Sequence, residues 1–282
     1  MEINERNRPD SQERLDAVLV KRSLASGREK AKALIRAGLV TVNGRPVNKP
    51  AFFVGAGDEV ACAAEGAPRH VSRGGLKLEK ALQLSGLSPA GRLCLDVGAS
   101  TGGFTDCMLQ NGANRVIALD VGHGQLHDSL CADPRVINLE GTDIRDEEKI
   151  GRILAPASVQ FCSIDVSFIS IEKIWPWVRP WLAPGASVVI LVKPQFEAGR
   201  EAVGKRGVVR DAHSHRAVLE RFVAFLPGAG LGLRALTYSP VTGGEGNIEY
   251  LAAAVFGGES RCRPSVRQLV EESHAVLLGK RD

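Results

Sequence analysis

The sequence predicts an α/β protein built from two parts, a small basic α+β domain and a larger domain with a mostly parallel sheet between helices. Three observations lead to this prediction. Between positions 14 and 49, nine basic residues stand against two acids. Positions 63–70, AAEGAPRH, are rich in Ala and Gly and are typical of a linker. Beyond them, short apolar runs alternate with intervals of helical length, which is the pattern of a doubly wound sheet.

These features also predict the domain boundaries. We expect an N-terminal extension at 1–13, the small domain at 14–64 and a linker at 65–71. The large domain should follow at 72–258, and a helical extension at 259–282. With 282 residues, 44% of them hydrophobic, the chain can build an ordinary core in the larger part.

The composition indicates a soluble, cytosolic protein. No run of about 18 uncharged apolar residues is present, as a membrane-spanning helix would require, and the start MEINERNRPDSQERLD is too polar and acidic for a signal peptide. The six cysteines are scattered without a C-x-x-C pair, so we expect buried free thiols. Nothing in the sequence indicates the oligomeric state.

The small domain is predicted to contain a short helix followed by a hairpin. In SGREKAKALIRAG, Ser26 and Glu29 have capping-box spacing and Gly38 ends the apolar pattern. Asn43-Gly44, between two β-prone runs, predicts a tight hairpin turn. Basic residues recur four apart on one side of the predicted helix: Arg28, Lys32 and Arg36. Such a basic face is the electrostatic footprint of a contact with a polyanion.

The segment RLDAVLVKRSLASGREKAKALIRAGLVTVNGRPVNKP, which begins at Arg14, resembles the small RNA-binding domain first described in a small-subunit ribosomal protein. The resemblance covers about forty residues. It implies that the basic residues of this segment, Arg14 and the three on the helix, contact RNA.

The large domain begins with a predicted helix near Ser72 and continues with five apolar runs: RLCLDVG, RVIALDV, RVINLE, VQFCSIDV and ASVVILVKP. Helical intervals between most of them predict parallel strands, whose ligands bind at the carboxyl ends. The last two runs, LRALTYSPV and NIEYLAAAVF, are separated only by a glycine-rich turn at 243–246. They should form an antiparallel pair at one edge.

The end of the first strand predicts a cofactor site. There DVGASTGGF, Asp96 to Phe104, places a glycine turn before a helix that should start at about Thr101. Asp120 follows 24 residues after Asp96 and suits a ribose diol. The spacing is not G-x-G-x-x-G, so it favours S-adenosylmethionine over a nicotinamide cofactor. Two further acids end the third and fourth strands, Asp143 and Asp165. A row of four strand-end carboxylates suits a cofactor with a cationic sulfonium, an amine and a diol.

Lys193 ends the fifth strand and is followed at once by Pro194, which cannot donate a ladder hydrogen bond. It should therefore lie at the same cleft as Asp165. Partial burial and a nearby positive charge both lower the pKa of an ammonium group, so a lysine there can act as a base on a hydroxyl. A lysine that extends from the sheet edge into solvent is the alternative.

Four residues, Lys77, Asp165, Lys193 and Glu249, match the Lys-Asp-Lys-Glu tetrad of the RNA ribose 2'-O-methyltransferases that resemble FtsJ. The chain as a whole is similar to the TlyA family, also called hemolysin A. VSRGGLKL, DVGASTGGFTD, SIDVSFIS, LVKPQFE, GKRGVVRD and GNIEYL occur in that family's order. The resemblance covers about 250 residues.

The resemblance implies a Rossmann-like S-adenosylmethionine-dependent methyltransferase sheet that methylates cytidine riboses in ribosomal RNA of the small subunit, the large subunit or both. Lys193 would activate the 2'-hydroxyl, Asp165 and Lys77 would orient it, and Glu249 would complete the set. Asp143 would contact adenine. The positions that match the family's cofactor site are Gly98, Gly102, Phe104, Asp120, Asp143 and Asp165.

The loop GREAVGKRGVVRD, 199–211, follows Lys193 directly and is predicted to meet RNA phosphates through Lys205, Arg206 and Arg210. No metal is expected, because a sulfonium methyl group is already activated for displacement. Two other functions stay open. One is a membrane-active hemolysin, for which RPSVRQLVEESHAVLLGK is the only and weak membrane candidate. The other is a non-catalytic ribosome-binding or assembly factor.

Overall fold

The computed structural model describes residues 13–22, 24–25, 27–36, 39–55, 57–62, 69–204 and 207–278. The chain divides at Arg69 into two compact units. The linker predicted at 65–71 spans this division, and its first part, 65–68, lies outside the described residues.

The first unit is a small α+β domain, as the sequence predicts. Its elements are β1 (Glu13–Arg14), α1 (Leu15–Lys21), α2 (Arg28–Arg36), β2 (Val40–Val42), β3 (Arg45–Pro46), β4 (Phe53–Val54) and β5 (Val60–Cys62). A three-stranded antiparallel sheet has the order β3-β2-β5, and β1 pairs with β4. The apolar residues of the unit, among them Leu15, Leu19 and Ile35, form one buried cluster.

The predicted hairpin is present. Asn43 has φ 51° and Gly44 has φ 74°, the two positive values that a type I′ turn requires and that Asn-Gly tolerates. The Asn43 side chain also accepts a hydrogen bond from the Glu59 amide at 2.9 Å and donates one to Asp58 Oδ1 at 2.8 Å. The turn is therefore fixed by its own backbone and by the chain next to β5.

The second unit is built on a seven-stranded sheet. Its strands are β6 (Leu93–Val97), β7 (Arg115–Asp120), β8 (Val136–Glu140), β9 (Val159–Ile164), β10 (Leu182–Val192), β11 (Leu231–Tyr238) and β12 (Tyr250–Phe256). Their order in the sheet is β11-β12-β10-β9-β6-β7-β8. The five strands from β10 to β8 are parallel, and β12 pairs antiparallel with both β10 and β11. The predicted antiparallel edge pair is thus confirmed.

Helices cover both faces of this sheet. Along β10, Val189 and Leu191 pack with α3 and α4 in one cluster, whereas Val188 and Ile190 pack with α7, α9 and α10 in the other. Successive side chains of a strand point to opposite faces, which is why a strand covered on both sides reads as a continuous apolar run. The helices are α3 (Gly74–Ser85), α4 (Gly103–Gln110), α5 (Asp128–Cys131), α6 (Glu147–Gly151), α7 (Ile171–Val178), α8 (Pro194–Glu197), α9 (Ala212–Gly228) and α10 (Val266–Leu278).

One predicted boundary is wrong. The helix after the first strand begins at Gly103, not at Thr101, because Gly102 has φ 89° and cannot be part of a right-handed helix. None of the helices described between residues 13 and 278 combines the length and the apolar character needed to cross a membrane.

Candidate active site

The alternation of side chains places three predicted catalytic residues on one face of the sheet. In β10 the odd-numbered residues face α3, so Lys193 continues that row beyond the strand end. The same parity holds in β9 for Asp165, which follows the strand, and in β12 for Glu249, which precedes it. Lys77 lies on α3, the helix that covers this face. All four predicted residues therefore converge from different elements.

Two ion pairs organise these residues. Lys193 Nζ lies 2.6 Å from Asp165 Oδ1 and donates a hydrogen bond to Ser167 Oγ at 3.0 Å. Lys77 Nζ lies 2.6 Å from Glu249 Oε2. The second pair is almost completely buried, with side chains 11% and 3% exposed, whereas Asp165 keeps 21% of its side chain exposed. Opposite charge partly offsets the cost of burying each lysine.

Two cavities meet at Asp165. The larger, of about 620 Å³, is lined by residues that include Asp120, Asp143 and Asp165, and its volume lies within the usual range of ligand pockets. The smaller, of about 190 Å³, is lined by residues that include Asp165 and Lys77. Gly98 lines both. A ligand in the larger cavity and a ligand in the smaller one would therefore meet beside Asp165.

The glycine turn after β6 brings the backbone of two strand ends together. Gly98 has φ 86°, and a Cβ at this position would lie 2.3 Å from the Asp165 carbonyl oxygen. The turn also presents the Ser100 amide, which donates to Asp120 Oδ2 at 2.8 Å. Gly122 N donates to Asp120 Oδ1 at 2.7 Å. Asp120 is thus held rigidly, and carboxylate oxygens have further lone pairs for a diol.

Asp143 lines the larger cavity but already has a partner. Its carboxylate accepts hydrogen bonds from Arg145, at 2.9 Å from Nε and 2.5 Å from Nη2. These hydrogen bonds from Arg145 hold the pKa of Asp143 below its usual value. Asp143 is therefore ionised at neutral pH, and an amine in the cavity would share it with Arg145.

Asp96 does not belong to the row of cavity carboxylates that the sequence predicts. It is completely buried, and it accepts hydrogen bonds from Thr105 Oγ1 at 2.7 Å and from Ser163 Oγ at 2.8 Å. Burial raises the pKa of Asp96 to about 6. The prediction of four ligand-facing strand-end acids is thus wrong for the first, because its side chain points between β9 and α4.

Two predicted cofactor residues lie at the start of α4. Phe104 lines the smaller cavity. Gly102 is packed differently, since a Cβ there would lie 2.2 Å from Leu130 Cδ1 and 2.8 Å from Leu126 Cδ1. Its contribution to cofactor binding remains a prediction, and its packing role is evident from these distances.

Phe168 is a cavity residue that sequence reasoning missed. It lines the larger cavity, is 90% exposed, and adopts φ 65°, which is unusual for a bulky side chain. Its ring centroid lies 4.9 Å from that of Phe196, and Lys193 Nζ lies 5.8 Å from the Phe196 ring centroid. The available signal was its position three residues after Asp165.

The predicted RNA contacts are placed as follows. In the first unit, Arg28 and Arg36 are exposed on α2, whereas Arg14 is paired with Asp16 at 2.9 Å and Lys32 with Glu29 at 2.6 Å. In the second unit, Arg210 is exposed. Lys205 and Arg206 lie outside the described residues.

Among the residues that are described, no group of three or more His, Cys, Asp or Glu side chains could hold a metal ion. This observation does not test the predicted absence of a metal.

The residues around the larger cavity fit S-adenosylmethionine. Its ribose diol can bind the held carboxylate of Asp120, and its positive charge is matched by the acids that line the cavity. A cradle of this kind, with a glycine turn at a strand end, is the usual position of a nucleoside cofactor in a doubly wound sheet.

Comparison with known proteins identifies the two units. Residues 70–256 match the FtsJ-like methyltransferase family, and residues 13–60 match the S4 domain. The chain belongs to the FtsJ-like methyltransferase family. The S4 domain accounts for the small basic unit, and the seven-stranded sheet with its antiparallel edge is the methyltransferase unit.

Similar proteins extend the match over nearly the whole chain. The "Putative rRNA methyltransferase YqxC" of Bacillus subtilis is 44% identical over 275 residues, which is 95% of this chain and 96% of that protein. The 16S/23S rRNA (cytidine-2'-O)-methyltransferase TlyA of Mycobacterium tuberculosis is 43% identical, over 84% of this chain and 87% of that protein. A solved "Putative hemolysin" from Streptococcus thermophilus is 43% identical with a TM-score of 0.69, covering 93% of this chain and 96% of that one. These relatives confirm the resemblance to the TlyA family.

Proposed function

We propose that this chain is an S-adenosylmethionine-dependent methyltransferase that acts on the ribose 2'-hydroxyl of cytidine in ribosomal RNA. The observation that carries the proposal is the meeting of two lysine–carboxylate ion pairs beside one pair of cavities. The names of the relatives supply the substrate, since the TlyA relative is a 16S/23S rRNA (cytidine-2'-O)-methyltransferase. The proposal includes a cytoplasmic reaction on ribosomal RNA or ribosomal subunits, which the rRNA substrate named for the TlyA relative supports.

Bound S-adenosylmethionine would supply the activated methyl group. The task of the chain is to align a hydroxyl and remove its proton. Lys193 Nζ, held between Asp165 and Ser167, is the group that receives the 2'-hydroxyl proton. An ammonium group cannot accept a proton, so Lys193 must first release one, and the Asp165 carboxylate at 2.6 Å is the acceptor within reach. Lys77, paired with Glu249 at 2.6 Å, would donate a charge-assisted hydrogen bond to the ribose 2'-oxygen.

The mouth of the larger cavity suits a nucleobase. Phe168 presents an exposed aromatic ring next to Asp165 and against Phe196. Single-stranded or flipped bases are commonly stacked on aromatic side chains. An exposed ring on which a base could stack supports the assignment of an RNA substrate rather than a small hydroxylated molecule.

The hemolysin alternative lacks support within the described residues. The candidate membrane segment forms α10, which buries Leu269, Val270 and Ser273 against the rest of the second unit, chiefly α9. Leu269 and Val270 are therefore not available to a membrane, and Val276 is the one large apolar side chain that this helix exposes among the described residues. Leakage of liposomes at physiological salt, with no methyl transfer to rRNA, would favour the hemolysin instead.

The decisive experiment is Lys193→Ala. Because general base catalysis contributes about 100-fold or more, we expect methyl transfer to ribosomal subunits to fall by at least about 100-fold while affinity for S-adenosylmethionine, measured by calorimetry, stays within about 2-fold. Lys173→Ala, at an exposed lysine on α7, is the control and should retain activity. Unchanged turnover of Lys193→Ala, or a methyl group mapped to a base rather than to a cytidine ribose, would contradict the proposal. Retained rRNA binding by the wild-type protein without any transfer would favour the assembly factor.

A further inference from the structure

A buried chain of hydrogen bonds in the second unit is not used by the methyl-transfer site. His215 on α9 is fully buried. Its Nε2 lies 2.9 Å from the Val209 carbonyl oxygen, and its Nδ1 lies 2.9 Å from Tyr250 Oη. Tyr250 Oη lies 3.1 Å from Ser273 Oγ. We refer to these four residues as the His215 chain.

The direction of the hydrogen bonds in the His215 chain follows from the chemistry of its members. The Val209 carbonyl can only accept, so His215 Nε2 carries a hydrogen and donates it. Burial lowers the pKa of His215, which keeps the ring neutral at pH 7 and makes Nδ1 an acceptor. Tyr250 must then donate to Nδ1. The single hydroxyl hydrogen of Ser273 has two acceptors within reach, Tyr250 Oη at 3.1 Å and the Val270 carbonyl oxygen at 2.9 Å. One tautomer satisfies every contact of the ring.

The His215 chain joins three elements that are far apart in sequence. Val209 belongs to the 199–211 loop that leads from Lys193 towards α9, Tyr250 opens β12, and Ser273 lies on α10. Tyr250 is also the register partner of Val192, the residue before Lys193. It follows Glu249 directly but points to the opposite face of the sheet. The C-terminal helix is thereby connected to the strands that carry the catalytic lysine and glutamate.

A second buried residue holds the same loop. Asn247, 4% exposed, accepts a hydrogen bond from Val209 N at 3.2 Å and donates one to the Gly207 carbonyl at 3.0 Å. The amide and the carbonyl of Val209 are therefore both fixed, one by Asn247 and the other by His215. The next residue, Arg210, is exposed. The exposed Arg210 side chain therefore belongs to a backbone segment that two buried residues hold in place through hydrogen bonds.

We propose that His215 is a positioning residue for RNA: it fixes the backbone that carries Arg210 and ties this part of the loop to α10. The inference rests on the proposed function. A loop that is already ordered loses less conformational entropy when RNA binds. Loss of His215 should therefore weaken RNA binding without altering the chemical step, because no atom of the His215 chain lines either cavity.

Two substitutions at His215 separate positioning from simple packing. His215→Phe fills similar space but removes the ring nitrogens that meet the Val209 carbonyl and the Tyr250 hydroxyl. His215→Gln retains one donor for the Val209 carbonyl and one acceptor for the Tyr250 hydroxyl. We expect His215→Phe to raise the KM for rRNA about 10-fold with kcat and the affinity for S-adenosylmethionine within about 2-fold. His215→Gln should restore KM to within about 2-fold of wild type.

Hydrogen exchange provides a readout that does not depend on activity. The amides of residues 207–211 should exchange faster in His215→Phe than in wild type and return to wild-type rates in His215→Gln. His213→Phe, the same change at an exposed residue on the first turn of α9, is the matched control and should alter neither exchange nor KM. If His215→Phe does not fold, Tyr250→Phe and Ser273→Ala interrupt the hydrogen bonds of the His215 chain further from the loop. These variants should change amide exchange and KM in the same direction, by smaller amounts.

The outcomes distinguish the two proposals. Faster loop exchange without a change in KM for rRNA would overturn the positioning role, and so would a parallel loss of S-adenosylmethionine affinity. A wild-type protein that transfers no methyl group to rRNA would refute the proposed function instead. In that case the dissociation constant for rRNA, compared between His215→Phe and wild type, still decides the inference about the loop.

Discussion

Two aspartates at neighbouring strand ends show how the environment of a residue decides its role. Asp96 is completely buried and accepts hydrogen bonds from two hydroxyls. Asp165 keeps a fifth of its side chain exposed, meets Lys193 and lines both cavities. Burial raises the pKa of Asp96 to about 6. Asp96 therefore holds β9 and α4 together, whereas Asp165 is available to a ligand.

The raised pKa of Asp96 predicts a pH dependence of stability. Between about pH 4, the pKa of an unfolded aspartate, and about pH 6, the folded state binds more protons than the unfolded state. The free energy of unfolding should therefore fall as pH rises through this window, by about 3 kcal/mol for a shift of two pKa units. Asp96→Asn, which cannot ionise, should lack this fall. Urea denaturation at several values between pH 4 and 7 measures the difference between the two profiles.

The control for this prediction is Asp128→Asn, at an exposed position on α5, which should follow the wild-type profile. Parallel profiles for Asp96→Asn and wild type would contradict the prediction. Other carboxylates have pKa values lowered by their partners, Asp133 by Arg135 for example, and they contribute stability that grows as pH rises. Only the difference between variant and wild type therefore reports on Asp96.

The turn between β11 and β12 shapes the candidate active site sterically. A Cβ on Gly243 would lie 2.1 Å from Glu249 Oε1, whereas one on Gly244 would have no atom within 4 Å. Gly243 has φ −71°, a value that any residue adopts. The glycine is thus required at 243 for the space that the Glu249 carboxylate occupies, and the backbone itself would accept alanine.

Gly243→Ala should damage catalysis through this contact. The added methyl group would displace the Glu249 carboxylate, which lies 2.6 Å from Lys77 Nζ, so Lys77 would lose its orientation. We expect kcat to fall about 10-fold or more, with S-adenosylmethionine affinity within about 2-fold. Single-turnover methyl transfer measures the effect. Gly244→Ala is the matched control, and equal activities of the two variants would show that the turn does not position Glu249 for catalysis.

Much of this architecture could be predicted from the sequence, because strands buried on both faces must be apolar throughout and must end where polar residues begin. That rule placed Asp165 and Lys193 at one sheet edge. It could not distinguish Asp96 from Asp165, since burial of a strand-end acid depends on hydroxyls supplied by Thr105 and Ser163. Phe168 was not predicted as a cavity residue for a similar reason, because the sequence does not reveal whether an aromatic residue after a strand is exposed.

The whole molecule combines a basic unit with a catalytic unit of different charge. Positions 14–49 carry nine basic residues against two acids, although the whole chain has a net charge of only +4. Within the first unit some of this charge is already neutralised, as in the contacts of Arg14 with Asp16 and of Lys32 with Glu29. Because both units belong to one chain, RNA bound by the first unit would be present at a high effective concentration for the second.

The salt dependence of RNA binding by the full-length protein tests whether the basic first unit contacts the RNA phosphates. Arg36 is exposed and has no salt bridge within the described part of the chain, so it is available to a phosphate. Arg36→Gln should lower the slope of log K against log salt by about one, the effect of one lost phosphate contact. Lys32→Gln should lower it less, because part of the Lys32 charge is already compensated by Glu29 at 2.6 Å.

Filter binding of rRNA fragments over a series of salt concentrations measures these slopes. Arg152→Gln is the control, since Arg152 is an exposed arginine of the second unit that pairs with Glu148; its slope should equal that of wild type. The variants should also keep wild-type turnover at saturating RNA, because α2 carries none of the cavity residues. An unaltered slope for Arg36→Gln would mean that the basic face of α2 does not anchor the RNA, and that the phosphate contacts arise elsewhere in the chain.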